Sequence, residues 1–437
     1  MHWLALEGLS CQTQEGTVCL PPISELLFHS FTVVSGRNGA GKSVLGRVLS
    51  GLSPSVLDGF VVKGSICFEG GARLPHNPLN FSYLPQAWAL ALIGSTVSTD
   101  LELAEGRLGI KRRDVLEEIE GLGLAISGLE SRQSGTLSRG EKQRVLLGVI
   151  SAIGPKAVYF DEPDAFLDEM GRAGFCTLVE RLTGKGTKVI VATHHCDLYE
   201  GLERATISLG VDAHALPVVP QDHLGKGRQE GPWHYCTANL ADIPVSKARR
   251  ILLKSLPIEG GKLTCLLGPN GSGKTTVLRR ISSDFNGRFK KRGGRAGSAA
   301  LVSDDPDDQL MFRSIRDEYA LLGLSPGEST ASRIREAALR RLGGMETQVT
   351  DLSWGMRRLL TILLAVSSQP RLLLIDEPQA GLDAETLGMV TCLLREATSR
   401  GAAVLVSSSS KGRVWEEADL RARIESFGAI SEVRVSE

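Results

Sequence analysis

"GRNGAGKSV" (residues 36–44) and "GPNGSGKTT" (residues 268–276) decide how this chain folds. Each ends a short apolar run, "FTVVSG" (31–36) or "KLTCLLG" (262–268), and such runs read as buried strands. Each leads into residues with helical apolar spacing, "KSVLGRVLSGL" and "KTTVLRRISS". A strand, a glycine-rich turn and a helix in this order point backbone N–H groups at a helix N-terminus, where they cradle phosphate oxygens. Both stretches fit G-x-x-x-x-G-K-[S/T], through Gly36, Gly41, Lys42 and Ser43, and through Gly268, Gly273, Lys274 and Thr275. The lysine of such a loop reaches the β- and γ-phosphates, and the hydroxyl ligates Mg²⁺. Asn38, Gly39, Asn270, Gly271 and Thr276 complete the expected phosphate-binding stretches.

The loops are part of a larger duplication. "TLSRGEKQR" (136–144) matches "DLSWGMRRL" (351–359), and "AVYFDEPDAFLD" (157–168) matches "LLLIDEPQAGLD" (372–383). The interval from Ser138 to Glu162 equals that from Ser353 to Glu377, so these parts repeat at an offset of 215. The loop lysines, Lys42 and Lys274, are 232 apart, so the second copy is shorter between loop and signature. The sequence predicts one domain over 1–215, a linker over 216–231 rich in Pro, Gly and charge, and a second domain over 232–437. "AVYFD", "KVIVAT", "LLLID" and "AAVLVSS" read as parallel strands, and "VLEEIEGLG" and "RGEKQRVLLGVISAI" as amphipathic helices. Their alternation means α/β layering.

Composition bounds the function. With 42% apolar and 23% charged residues among 437, the chain reads as globular and long enough for several cores. Eight scattered cysteines form no CxxC pair, which argues against zinc modules and iron–sulfur clusters and for a reducing compartment. No signal peptide and no apolar run near the ~20 residues of a membrane helix are expected. Fifty basic residues balance fifty acidic ones, against the basic excess of a nucleic-acid binder. The one basic run, "RFKKRGGR" (288–295), reads as a solvated loop or as a contact with acidic headgroups.

Several polar residues repeat in register. Asp161 and Asp376 end apolar strands, where a carboxylate holds a phosphoryl-transfer metal. Glu162 and Glu377 follow, suited to orienting and deprotonating an attacking water. His194, in "VATHHCDL", follows Glu162 at the same interval that separates Ser409 from Glu377; His195 reads as a surface residue. Gln86, in "FSYLPQ", precedes Val97 by the same interval that separates Asp304 from Ile315, so Gln86 and Asp304 are equivalent catalytic or metal-binding candidates. Ser138, Gly140, Ser353 and Gly355 open helices and supply a further phosphate site.

Together these residues resemble the ABC ATPases across nearly the whole chain, twice over. The resemblance implies two tandem domains, each a mainly parallel sheet with an antiparallel β subdomain and a helical signature subdomain. It implies ATP and Mg²⁺ as cofactors, and leucine–aspartate D-loops at Leu167-Asp168 and Leu382-Asp383. In that family two such domains pack head to tail, each ATP lying between the Walker motifs of one and the signature of the other. By that rule Lys42, Ser43, Gln86, Asp161, Glu162 and His194 would work with Ser353 and Gly355. Lys274, Thr275, Asp376 and Glu377 would work with Ser138 and Gly140. The chain departs from the family at Asp304, Ser409 and "LSWGM", and no aromatic lies near Gln12 or Pro244 to stack on adenine; Trp3, Trp233 and Tyr235 could substitute, but they read first as residues packed in strands.

"DPDDQLMFRSI" and "GLSPSVLDGFVVKGSICFEG" (51–70) are similar to segments of the energy-coupling-factor importer ATPases. That likeness implies a peripheral ATPase at the cytoplasmic face of the membrane. Its partners would be a transmembrane T-component and a substrate-binding membrane subunit, and it would power uptake of a vitamin or transition metal. Grooves near Gln86 and Pro306-Asp307-Asp308-Gln309 would receive the partner, although "QAWALALIGSTV" loses the Pro-Asp-x-Gln part. Two other readings stay open: an ABC ATPase that clamps on a ribosome or DNA, and a regulatory ABC ATPase outside transport.

Overall fold

The computed structural model describes residues 3–13, 18–51, 60–68, 81–86, 92, 94–122, 128–137, 139–165, 167, 169–202, 204–209, 235, 242–244, 250–253, 256–291, 299–324, 332–427 and 430–436. The chain divides into two compact units, Met1–Ala213 and His214–Glu437. The expected linker, Trp233, Ser138, Asp168, and residues 52–59 and 69–70 of 51–70 lie outside the described residues.

The first unit begins with β1 (Leu4–Thr13), β2 (Val18–Phe28), β3 (Phe31–Gly36), α1 (Lys42–Leu49), β4 (Phe60–Phe68) and β5 (Phe81–Leu84). It continues through α2 (Val97–Leu108), α3 (Arg112–Gly121), α4 (Arg139–Ile153), β6 (Ala157–Asp161), α5 (Glu169–Gly184), β7 (Lys188–Thr193) and β8 (Ala205–Leu209). Five strands form a parallel sheet in the order β5-β6-β7-β3-β8. "AVYFD" is buried throughout because helices cover both faces. Leu45 and Leu49 of α1 pack on one face; Leu147 of α4 and Phe175 and Leu178 of α5 pack on the other. A separate antiparallel sheet has the order β2-β1-β4. The helical part closes around Val97, Leu101, Val115, Ile119 and Val145.

The second unit contains β9 (Asp242–Pro244), β10 (Arg250–Leu253), β11 (Leu263–Leu267), α6 (Lys274–Lys291), β12 (Ala299–Val302), α7 (Ile315–Leu321), α8 (Arg333–Arg341) and α9 (Trp354–Ser367). It ends with β13 (Leu372–Ile375), α10 (Ala384–Ser399), β14 (Ala403–Ser408), β15 (Leu420–Phe427) and β16 (Ile430–Ser436). Its parallel part runs β12-β13-β14-β11-β15, position for position the order of the first unit. Here the antiparallel pairs join the main sheet: β16 pairs antiparallel with β15 and parallel with β10, which pairs antiparallel with β9. Residues 50–80 separate α1 from β5 and supply β4, whereas only 292–298 separate α6 from β12. Residues 288–291 of the basic run are the last turn of α6, and the rest of that run lies outside the described residues.

Ser314 and Ser332 cap α7 and α8 by accepting the Asp317 and Arg335 amides. Among the described residues no helix is long and apolar enough to cross a membrane.

Candidate functional site: two phosphate loops with buried carboxylates

In each unit three neighbouring strands end at one edge. The end of β3 opens into the first glycine-rich loop, β6 ends at Asp161, and β7 ends just before His194. The end of β11 opens into the second loop, β13 ends just before Asp376, and β14 ends just before Ser409. Parallel sheets place functional groups at their carboxyl edge for this reason.

The loops are shaped by glycine. Gly41 has φ 91°, and a Cβ there would lie 2.8 Å from the Cys19 carbonyl oxygen. Gly273 has φ 101°, in the same left-handed region. The first turn of α1 has no side-chain cap and no acidic residue, so its amides are not committed to a side chain. The Lys42 ammonium donates to the carbonyls of Gly36 (2.6 Å) and Arg37 (3.2 Å) and lies 3.1 Å from a Glu162 oxygen. Lys274 repeats this with Gly268 (2.7 Å), Pro269 (3.1 Å) and Glu377 (3.3 Å). Each loop therefore opens a helix N-terminus with a cation folded across it, a donor set that fits a polyphosphate.

Both glutamates have a left-handed backbone, φ 49° at Glu162 and 50° at Glu377. Non-glycine residues rarely occupy that region, and strain kept at the same place in both copies marks a functional position. His194 Nδ1 stands 2.8 Å from Glu162 Oε2. Burial acts to raise the Glu162 carboxyl, but the charges of His194 and Lys42 outweigh it and hold it at about 2. Burial acts to lower His194, and Glu162 reverses this and raises it. His195, which the sequence suggested lies at the surface, is half-buried. Its ring lies 4.1 Å from that of His194, and burial and the His194 charge push it down to about 4.

In the second unit a serine takes the imidazole's place. Glu377 Oε2 accepts the Ser409 amide (3.0 Å) and the Ser409 hydroxyl (3.2 Å). Burial and the Asp376 charge raise Glu377, opposed by Lys274. The Thr275 and Ser407 hydroxyls donate to the two oxygens of Asp376. Asp161 accepts from the Tyr83 hydroxyl at 3.0 Å and is also bonded to Ser43. Each loop hydroxyl thus already meets its aspartate, and these hard oxygen donors fit Mg²⁺. Gln86 and Asp304 each lie two residues past an equivalent edge strand, β5 and β12.

Burial is the largest influence on Asp161; with the Glu162 charge it raises the carboxyl to about 6 despite the Ser43 bond and Lys42. The folded chain therefore keeps this proton to higher pH than the unfolded one. This group's effect on stability is harmless below the ordinary aspartate range, and about 3 kcal/mol is lost as pH rises through it to about 6. Asp161→Asn removes that cost. We expect the first unit of the ligand-free variant to melt several degrees higher at neutral pH and no higher near pH 4. Equal melting temperatures at neutral pH would show that burial does not strain this carboxyl.

The second signature turns its unusual residues inward. Ser353 caps α9 by accepting the Met356 amide at 3.4 Å, while Trp354 and Met356 are 3% and 6% exposed. Trp3 and Tyr235 are also core residues: Trp3 Nε1 donates to the His29 carbonyl, and Tyr235 donates to Asp284 and packs on Phe285. Neither is placed to stack on adenine. The sequence reading missed several supports. Tyr159 donates to the Lys42 carbonyl at 2.7 Å, and fully buried Arg358 donates to the carbonyls of Ser303 and Asp376. Arg358 is the counterpart in the second copy of Gln143, which donates to the Pro163 carbonyl, and that shared register was the available signal.

A family model described as "ABC transporter" matches residues 29–165 and 254–380. A putative ABC transporter ATP-binding protein of Bifidobacterium longum is 24% identical over 88% of this chain and 60% of its own length, so this chain spans less than two thirds of that relative. The putative HMP/thiamine import ATP-binding protein YkoD of Bacillus subtilis is 23% identical, over 90% of this chain and 84% of its own. Among solved structures, an RNase-L inhibitor superposes with TM-score 0.60 at 16% identity, covering 97% of this chain and 89% of its own. A ribosome-bound archaeal assembly of Pelota and ABCE1 gives 0.66 at 16%, covering 97% and 78%. At such identities the structural likeness speaks for the fold alone.

Proposed function

The chain belongs to the ABC transporter family, and from that premise we propose that it is the motor subunit of an energy-coupling-factor-type importer, driving uptake of a vitamin or transition metal through separate membrane subunits. It is an ATPase with two tandem domains. In our reading Lys42 and Lys274, with their loop amides, hold the ATP phosphates. Ser43 with Asp161, and Thr275 with Asp376, hold Mg²⁺, which when bound offsets charge on the phosphates. Glu162, kept ionised by Lys42 and His194, orients and deprotonates the attacking water in the first domain. Gln86 and Asp304 stand near the metal, and the signature residues Ser138, Gly140, Ser353 and Gly355 supply further phosphate contacts.

One observation carries the choice of partner. Met311 is 77% exposed and Phe312 43%, beside the importer-like Pro306–Gln309 turn. This is not a slack surface loop. Gln309 accepts the Ser303 amide (3.0 Å) and donates to the Leu301 carbonyl (2.7 Å). Glu318, 2% exposed, accepts the amides of both Met311 (2.5 Å) and Phe312 (2.6 Å). A buried carboxylate thus fixes the backbone that displays two apolar side chains. A fixed apolar display suits the apolar face of a partner helix better than a polyanion. The ribosome-bound structures share the fold, and the balanced charge of the chain gives no support to such a partner.

The test is purification from native membranes in mild detergent. The chain should carry a multi-spanning T-component, and Met311→Asp with Phe312→Asp should release it while ATP binding stays within about twofold. Retention of that subunit by the double variant would remove this surface from the interface. Stable insertion of the chain into partner-free membranes would contradict a peripheral motor.

A further inference from the structure

Asp164 lies two residues past Glu162, and it is 1% exposed. Its Oδ2 accepts the Thr193 hydroxyl at 3.1 Å, and its Oδ1 accepts the Tyr199 hydroxyl at 3.5 Å. Thr193 Oγ1 in turn accepts the His195 amide at 2.9 Å. One buried carboxylate therefore ties down both ends of the segment that carries His194. Thr193 precedes the imidazole directly, and Tyr199 closes the short turn Cys196–Tyr199 after it.

The second copy has the same lock with its polarity reversed. In the register of the duplication Gln379 is the counterpart of Asp164, and Ser408 and Ser410 are the counterparts of Thr193 and His195. Gln379 Nε2 donates to Ser408 Oγ (2.9 Å) and Ser410 Oγ (3.2 Å), and Ser408 Oγ accepts the Ser410 amide (3.3 Å). The amide-to-hydroxyl bond, 193 to 195 or 408 to 410, is shared by the two copies. Only the residue beneath it changes, from an acceptor to a donor. The carboxylate accompanies the loop that presents histidine, and the amide accompanies the loop that presents Ser409. A buried carboxylate is costly wherever a neutral side chain would also fill the space. Its neighbourhood makes it more so, since burial and the Glu162 charge push Asp164 up to about 6.

We propose that Asp164 is a positioning residue for hydrolysis in the first domain: through Thr193 and Tyr199 it fixes the loop that sets His194 against Glu162. This rests on the reading of Glu162 and His194 given above. The lock touches neither phosphate loop, so it should affect the chemical step and leave ATP capture alone. Displacing a group by a fraction of an ångström is enough to lower turnover by about one to two orders of magnitude.

The experiment is a set of variants of the full chain assembled with its membrane subunits, with kcat and ATP Kd measured separately. Asp164→Ala should lower kcat about tenfold or more and leave Kd within about twofold. Asp164→Asn, which keeps an acceptor for Thr193, should recover most of the loss. Gln379→Ala should leave kcat within about twofold. Asp164→Ala combined with His194→Ala should be no slower than His194→Ala alone, because the lock acts through the histidine. Should Asp164→Ala fold poorly, Thr193→Val breaks the same chain of bonds with almost no change in volume. Additive losses in the double variant, or a parallel rise in Kd, would overturn the lock. Unchanged kcat in His194→Ala would instead overturn the reading of the histidine on which it rests.

Discussion

Glu162→Gln is expected to remove nearly all ATP hydrolysis, a loss on the order of a hundredfold or more, whereas Glu377→Gln should cost clearly less. The two carboxylates sit at equivalent places with the same left-handed backbone, but their surroundings differ. Glu162 has an ammonium at 3.1 Å and an imidazole at 2.8 Å, and these hold it ionised at any physiological pH. On the proposed reading, a carboxylate in that state accepts a proton from water only as the attack develops, with His194 beside it to support the phosphate side of the reaction. Glutamine keeps the shape and loses both the charge and the basicity. Glu377 has one oxygen already taken by the Ser409 amide and hydroxyl, and burial raises it. The Ser409 hydroxyl is turned towards Glu377 and is too short to stand where an imidazole would reach a γ-phosphate. Glutamine at 377 can still accept both Ser409 hydrogens, so little of the local structure should change. Single-turnover ATPase assays on the assembled complex, with each variant made separately, decide the matter. The reverse order of losses would mean that the altered signature matters more than the missing histidine. Trp354 and Met356 argue against that, because both side chains are packed into the second domain's own core.

Much of this is legible in the sequence alone, and the reason is physical. A phosphate loop needs glycine where φ is positive and lysine where the helix begins, so Gly41, Lys42, Gly273 and Lys274 leave a local pattern. Strands buried on both faces leave uninterrupted apolar runs, so "AVYFD" and "LLLID" announced β6 and β13 and the aspartates at their ends. His194 and Ser409 were reachable because the duplication supplied a ruler. The supports of the site left no such trace. Tyr83 meets Asp161 across 78 residues, and a lone tyrosine after a strand has no pattern that predicts its partner. Asp164 and Gln379 stand at the same offset, yet their shared role shows only when Thr193 and Ser408 are seen above them. His195 read as a surface residue because a second histidine in a polar stretch usually is one; its packing against His194 is a tertiary fact. The joining of β16 to β10 was hidden for a different reason: it pairs strands from opposite ends of the second unit, and an apolar pattern does not say which neighbour a strand takes.

Replacing both loop lysines, Lys42→Ala with Lys274→Ala, is expected to abolish measurable ATP binding, and each single variant should retain one of two sites. Each lysine is 6% exposed, and its ammonium is held by two loop carbonyls and one glutamate oxygen. Phosphate oxygens entering the loop would meet that cation directly, in a partly desolvated place where a charge–charge contact counts for several times its worth in water. Alanine removes the cation and also leaves a buried glutamate with less compensation. That second effect differs between the domains. Glu162 keeps His194 at 2.8 Å, but Glu377 keeps only the Ser409 hydrogen bonds. Lys274→Ala should therefore shift Glu377 further towards its protonated form than Lys42→Ala shifts Glu162, and the Lys274 variant should lose less stability at mildly acidic pH than at neutral pH. Equilibrium dialysis with labelled ATP and Mg²⁺ gives the stoichiometry, and thermal melts of each variant confirm that the fold persists. Two sites in wild type, one in each single variant and none in the double is the expected series. Unchanged affinity in the double variant, with the fold intact, would remove both loops from the nucleotide sites.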